Sequence, residues 1–362
     1  MFITLVSFFL ILIVLILVHE LGHFFTAKLF KVRVEEFGIF IPPRMFSFKK
    51  GETVYSLNWI PLGGFNKLAG EEDPAVPGSL AGKSIPVRLA VLGAGSLMNI
   101  LLPVILLCIA FMIPHLESVS INSTDKAQVF VEEVVANSPA AKAGIKVNDI
   151  LIDANGEPVQ NIDDYENIVK ANYGTEITVT VKHYDGSTTE VKLTPQANAP
   201  ASQGATGLAL TNAVRKTDNF WVAIPDGIRS YWNMIVLFKD GIIGMIRGTV
   251  PVNVTGPVGL AQLTGEIVKT GFANLLSFAA VISLNLGIVN IFPIPAMDGG
   301  RIVFVLLEWV RRGKRVSPKT EGMVHTIGFM LLMLVFVIIS YHDILRIISG
   351  QSLGYGISLT VC

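Results

Sequence analysis

Charge and cysteine are both scarce in this chain. Only 15% of its 362 residues are charged, against about 25% in an average protein, while 51% are hydrophobic and the mean hydropathy is +0.57. A water-soluble globule of that makeup would expose large apolar patches, so the composition points to lipid as the solvent. Lys+Arg and Asp+Glu number 28 each, which leaves no net charge. Without a basic excess, no nucleic-acid partner is expected. Two cysteines, Cys108 inside an apolar run and Cys362 far from it, exclude a disulfide framework. Histidine is rare as well, at six residues, so any cluster of it carries information.

The apolar residues are gathered into runs. Met1 to Val18 carries no charge, and the run stays mostly apolar to Ala27 apart from His19, Glu20 and His23. Leu89–Pro114, Thr270–Met297 and Gly322–His342 are likewise free of charged residues. Runs of about 20 residues span about 30 Å of hydrocarbon, so four transmembrane segments are expected. The first lacks a positive leader and a small-residue cleavage site, which favours an uncleaved span over a signal peptide. Lysine and arginine collect at 28–88 and 311–319, from Lys28 and Lys31 to Arg315 and Lys319. The positive-inside rule makes both loops cytoplasmic, with both termini and the 115–269 stretch outside. That describes a multi-pass protein of the cell (inner) membrane.

The 115–269 stretch is of a different kind, rich in charge, Gly, Asn, Asp and Thr. Alternation at 129–131, 177–181 and 189–193 marks strands. Ser138-Pro139-Ala140-Ala141 reads as a helix start with Gly144 as its stop, and Asp185-Gly186 as a hairpin turn. Further on, Trp221, Ile224, Ile228, Trp232, Ile235 and Ile242 recur at helical spacing. That helix either lies in the membrane interface or packs on the soluble module, and both readings stand. On the cytoplasmic side, Met45–Phe48 and Thr53–Leu57, joined by Lys49-Lys50-Gly51-Glu52, read as a hairpin.

The chemistry begins at His19-Glu20-Leu21-Gly22-His23. Spacing i, i+4 puts both imidazoles on one helical face, where they can share one zinc ion. Glu20 beside them is placed to take a proton from water on the metal. Ionisable residues at membrane depth are costly, so such a cluster is a functional candidate by default. Zinc of the catalytic kind needs a third protein ligand and an open position. Asp298, which ends a run broken by Pro293 and Pro295 and precedes Gly299-Gly300, is the better candidate, because a buried carboxylate wants a cation. His325 is the geometric competitor, and simple Asp-Gly turn chemistry is the plain alternative for Asp298.

With those residues in place, the chain resembles the site-2 intramembrane zinc metalloproteases, most closely the bacterial regulator-of-sigma-E type. His19–His23 matches the family's first motif, and Asn290…Pro293…Asp298-Gly299 its second. Gly93-Ala94-Gly95-Ser96-Leu97-Met98-Asn99 matches its small-residue segment. Phe37-Gly38-Ile39 and Ile60-Pro61-Leu62-Gly63-Gly64-Phe65 are similar to its membrane-associated β-loop, and Ser138 to Leu151 to a PDZ domain. The resemblance implies His19, His23 and Asp298 as zinc ligands, Glu20 as catalytic base, and Asn290 with Pro293 at the substrate. It implies a polytopic α-helical membrane protein with four transmembrane helices, a β-hairpin loop and an inserted extracytoplasmic PDZ (α+β) domain. The expected order is a first transmembrane helix at 1–30, the β-loop at 31–85, a second helix at 86–115 and the PDZ domain at 125–197. An amphipathic segment at 215–268, a broken third transmembrane segment at 270–312 and a fourth helix at 322–345 complete it. Phe40-Ile41-Pro42-Pro43 departs from a more glycine-rich family stretch, and one PDZ domain stands where close relatives have two.

The implied activity is zinc-dependent, Glu-assisted hydrolysis within the bilayer, on single-span transmembrane proteins. Anti-sigma factors and remnant signal peptides are both substrates of the implied kind. The PDZ domain either binds a peptide or C-terminal strand or filters out bulky ectodomains. The rival reading is a catalytically silent membrane scaffold whose PDZ domain recruits partners, but structural zinc usually has four ligands. A di-iron oxidase wants many more carboxylates or histidines, and a transporter wants repeats that are not evident. Asn122 and Asn253 head sequons that face outward in this topology.

Overall fold

The computed structural model describes residues 2–71, 73–118, 127–135, 137–183, 186–200, 204–249 and 255–348. Cys362, the sequons at Asn122 and Asn253, and Asp185 of the expected turn lie outside these residues. In chain order the elements are α1 (Phe2–Leu29), β1 (Val34–Lys50), β2 (Thr53–Leu68), α2 (Ile85–Phe111), β3 (His115–Ser118), β4 (Gln128–Val134) and α3 (Pro139–Ala143). Then come β5 (Ile150–Ala154), β6 (Glu157–Pro158), α4 (Ile162–Ala171), β7 (Ile177–Lys182), β8 (Thr188–Leu193) and β9 (Leu208–Lys216). The last are α5 (Phe220–Arg247), α6 (Pro257–Ile267), α7 (Phe272–Ile291), α8 (Asp298–Val310) and α9 (Pro318–Ile348).

Four of these helices, α1, α2, α7 and α9, are long and apolar enough to cross a membrane. The chain is a polytopic membrane protein. α1 shows why: its 28 residues rise about 42 Å, with no proline to interrupt the ladder. The third apolar run does not continue as one helix. It stops at Ile291, turns through 292–297, and restarts as α8 at Asp298. Pro293 and Pro295 supply no backbone N–H, so the α7 ladder cannot run through them. The amphipathic stretch is also two helices, the 28-residue α5, which passes Pro225 unbroken, and the separate α6.

The described residues divide into two compact units, one within 2–107, 234–266 and 276–348, the other within 108–233 and 267–275. In the first, β1 and β2 form a two-stranded antiparallel hairpin. It is far longer than the strands expected at 45–48 and 53–57. Pro42 and Pro43 hide the β1 alternation, and the ladder slips between Ile41 and Arg44 where they sit. The base of the hairpin packs with α1 and α2 through Ala27, Val32, Val34, Leu68, Val91 and Leu92.

The second unit is built on an antiparallel sheet of order β3-β9-β4-β5-β7-β8, with β6 paired to β5. Val129, Val131, Leu151, Ile177, Val179 and Val181 form its core with Tyr165, Ile168 and Val169 of α4. Ser138 caps α3 by accepting the Ala141 N–H, Pro139 opens the helix, and Gly144 closes it at φ 86°. A capping box of Asn161 and Asp164 starts α4. The sheet extends beyond 197, because Leu208–Ala213 of β9 pairs with Gln128–Val134 of β4. That pairing joins segments about eighty residues apart, a distance over which local alternation carries no information.

Candidate metal centre

One turn of α1 separates His19 from His23, and their rings meet edge to face at 4.8 Å. The two Nε2 atoms are 3.2 Å apart. Asp298 Oδ2 lies 3.2 Å from His19 Nε2 and 3.2 Å from His23 Nε2. Three ligands at about 2.05 Å from a tetrahedral ion stand about 3.3 Å from one another, so the triangle has the size zinc requires. The three side chains are only 12%, 10% and 20% exposed in that order. His19 Nδ1 and Asp298 Oδ2 are buried without a hydrogen-bond partner among the described residues. A cation between the three atoms would satisfy the carboxylate and both imidazole lone pairs.

Each side chain is aimed by its surroundings. His23 Nδ1 donates to the Val91 carbonyl at 2.8 Å, which leaves the Nε2 lone pair directed at the centre. Gly95 of α2 is required by closeness: a Cβ there would lie 2.3 Å from His23 Nε2 and 2.8 Å from His19 Cε1. Asp298 arrives by way of the turn after α7. The Ala296 N–H donates to His325 Nδ1 at 3.0 Å, which pins the turn to α9. Gly299 lets the backbone fold back, since a Cβ there would meet the Phe292 carbonyl oxygen at 2.0 Å. Asp298 is therefore the first residue of a helix, and the Asp-Gly turn expected as its alternative is not what forms.

Glu20 is held from the opposite side. The Asn66 amide on β2 donates to Glu20 Oε2 and to the Glu20 carbonyl, both at 2.6 Å. Asn290 is half-buried one residue before the end of α7, and Pro293 is exposed in the turn that follows. The competitor His325 supports the turn and is not in the metal-capable group, which among the described residues is His19, His23 and Asp298. His115 and His183 lie in the other unit, beside Asp218 at 3.8 Å and Asp149 at 2.8 Å. Sequence reasoning missed Gly95 and Asn66 as individuals. Gly95 sits in the small-residue segment and Asn66 directly after the run ending at Phe65, but only packing against α1 gives them roles.

The family model for peptidase family M50 matches residues 7–335. The chain belongs to peptidase family M50. It is a zinc metalloendopeptidase of the site-2 protease family, and the silent scaffold is set aside. A Clostridium acetobutylicum protein named as a zinc metalloprotease is 35% identical over 333 residues, covering 91% of this chain and 94% of that one. The regulator of sigma-W protease RasP of Bacillus subtilis is 28% identical, over 95% of this M50 chain and 99% of its own length. The zinc metalloprotease RasP of Oceanobacillus iheyensis is 26% identical, over 95% and 99%. Among solved structures, the PDZ domain of an SdrC-like protein from Listeria monocytogenes aligns with 25% of this chain at 17% identity and a TM-score of 0.21, which carries no argument.

Proposed function

We propose that this M50 peptidase cuts single-span membrane proteins within the bilayer, with His19, His23 and Asp298 holding zinc and Glu20 as the general base. The observation that carries the reading is the 3.2 Å triangle of ligand atoms, reached from α1 and from the α7–α8 turn. Such a cluster in lipid is too costly to persist without a task.

Zinc, when bound, polarises the scissile carbonyl and makes the attacking water more acidic. Glu20 accepts the proton as the water oxygen bonds to the carbonyl carbon. It then returns a proton to the amide nitrogen as the C–N bond breaks. The substrate must first unwind, because a helix conceals its peptide bonds in its own ladder and each freed backbone group in hydrocarbon costs several kcal/mol. Asn290 beside the turn, with Pro293 shaping it, takes some of those groups. The hairpin takes others as an added strand, since each strand of a two-stranded sheet keeps a free edge. The second reading of the hairpin is that it only anchors the cytoplasmic side. Proline at alternate positions along 53–57 separates the two, and unchanged cleavage throughout sinks the clamp.

Basic loops at 28–88 and 311–319 favour an inner-membrane orientation with the site near the cytoplasmic face and the PDZ-like module outside. The relative named as a regulator of sigma-W favours regulatory substrates over remnant signal peptides. Deleting 127–195 tests the module: promiscuous cleavage supports a filter, and lost cleavage supports recruitment through a peptide or C-terminal strand. The test of the chemistry is Glu20→Gln in the full chain, assayed on a one-span substrate. Zinc retained with cleavage abolished is expected, and retained cleavage removes Glu20 from its role.

A further inference from the structure

The proposed chemistry requires the Glu20 carboxylate to be held beside the reacting atoms. Glu20 sits on α1 between the two histidines, yet its own helix offers it no partner among the hydrogen bonds described. The contact comes from the hairpin. Asn66 Nδ2 reaches both Glu20 Oε2 and the Glu20 backbone carbonyl at 2.6 Å. Only one amide orientation suits that pair, because a flip would set an oxygen against two oxygens. β2 also presses on the side chain itself, since a Cβ at Gly64 would stand 3.0 Å from Glu20 Cγ and 3.1 Å from Ile16 Cγ2. Asn66 pairs in register with Phe37 of β1, so the whole hairpin base stands behind the amide.

We propose that Asn66 is a positioning residue for the general base. This rests on the reading of Glu20 given above. By binding Oε2, the amide fixes one carboxylate oxygen and leaves Oε1 for the attacking water, while the bond to the Glu20 carbonyl ties the amide to the helix. The hairpin thereby sets the angle at which the base meets its proton, in addition to any part in holding substrate. A base displaced by about 1 Å loses on the order of 100-fold in rate.

The test uses the full-length protein in liposomes, with Asn66→Ala, Asn66→Leu and Asn66→Gln. Leucine keeps the volume and removes the donor, and glutamine keeps the donor. The alanine and leucine variants are expected to lose about 10- to 100-fold in kcat, with KM within about twofold and zinc per chain as in the parent. Asn66→Gln is expected to exceed both. Unchanged kcat in the alanine and leucine variants overturns the proposal, as does a loss that falls in KM or in zinc content. Failure of the base reading looks different: Glu20→Gln would then still cleave, whatever Asn66 does.

Discussion

The core of the sheet unit is an apolar cluster. Val129, Val131, Ile177, Val179 and Val181 are fully buried, while on β8 Glu190 and Lys192 face out in alternation with buried Val191 and Leu193. The helical unit buries apolar residues as well, among them Leu15, Val91 and Leu284, but it differs in what it exposes. Phe329, Met330, Leu331, Leu334 and Val337 of α9 are all more than half exposed, and the buried side chains include His23, Ser96, Asn99, Ser283 and Asp343. Water rewards hiding carbon, and lipid does not. In the first setting a buried valine reports only packing. In the second a buried polar group has been placed against a cost, so it marks either a site or a joint. Asp343 is a joint, accepting the N–H groups of Gly256 and Gly259 at the start of α6. His19, His23 and Asp298, with Glu20 beside them, are the proposed site.

The sharpest way to break this contrast is to remove a ligand. His23→Ala and Asp298→Ala should each lose bound zinc and lower cleavage by about 1,000-fold or more, read by metal analysis beside a substrate assay. Zinc at the parent level in either variant would make the buried polar group a joint after all. Next in size is the packing comparison. Leu151→Ala in the sheet core should cost about 2–5 kcal/mol of stability. Leu331→Ala, 57% exposed on α9, should change the unfolding transition by less than about 1 kcal/mol, because lipid surrounds it in any state.

Two glycines on one helix turn the comparison to close approach. Gly95→Ala should push the His23 ring and weaken zinc binding by about 10- to 100-fold in a chelator competition. Gly93→Ala meets nothing within 4 Å and should bind zinc as the parent does. The smallest effect belongs to the sheet unit. Burial pushes the Tyr165 hydroxyl up to about 12 from its ordinary value near 10. Between those values the unfolded chain loses the proton and the folded chain keeps it, so stability present below pH 10 declines as pH rises towards 12. Tyr165→Phe should remove that part of the alkaline slope, followed by unfolding against pH.

What could be read in the sequence follows the same division. Spans were legible because charge is absent from them, and His19, Glu20 and His23 because they interrupt that absence within one helical turn. Asp298 stands out only in company, since Asp-Gly-Gly alone is ordinary turn chemistry; the fold-back at Gly299 is what brings its carboxylate to the two imidazoles. β9 and the full length of the hairpin were hidden. β9 pairs across about eighty residues, and Pro42, Pro43, Gly63 and Gly64 erase the alternation that strand reading depends on. Asn66 was hidden for a further reason, because its partner Glu20 is on another element, 46 residues earlier in the chain.

X-ray absorption at the zinc edge, on the purified full-length protein and on His23→Ala, tests the central claim most directly. Two imidazole nitrogens and carboxylate or water oxygen at about 2.0–2.1 Å are predicted, with one imidazole lost in the variant. A spectrum that the substitution leaves unchanged would contradict it.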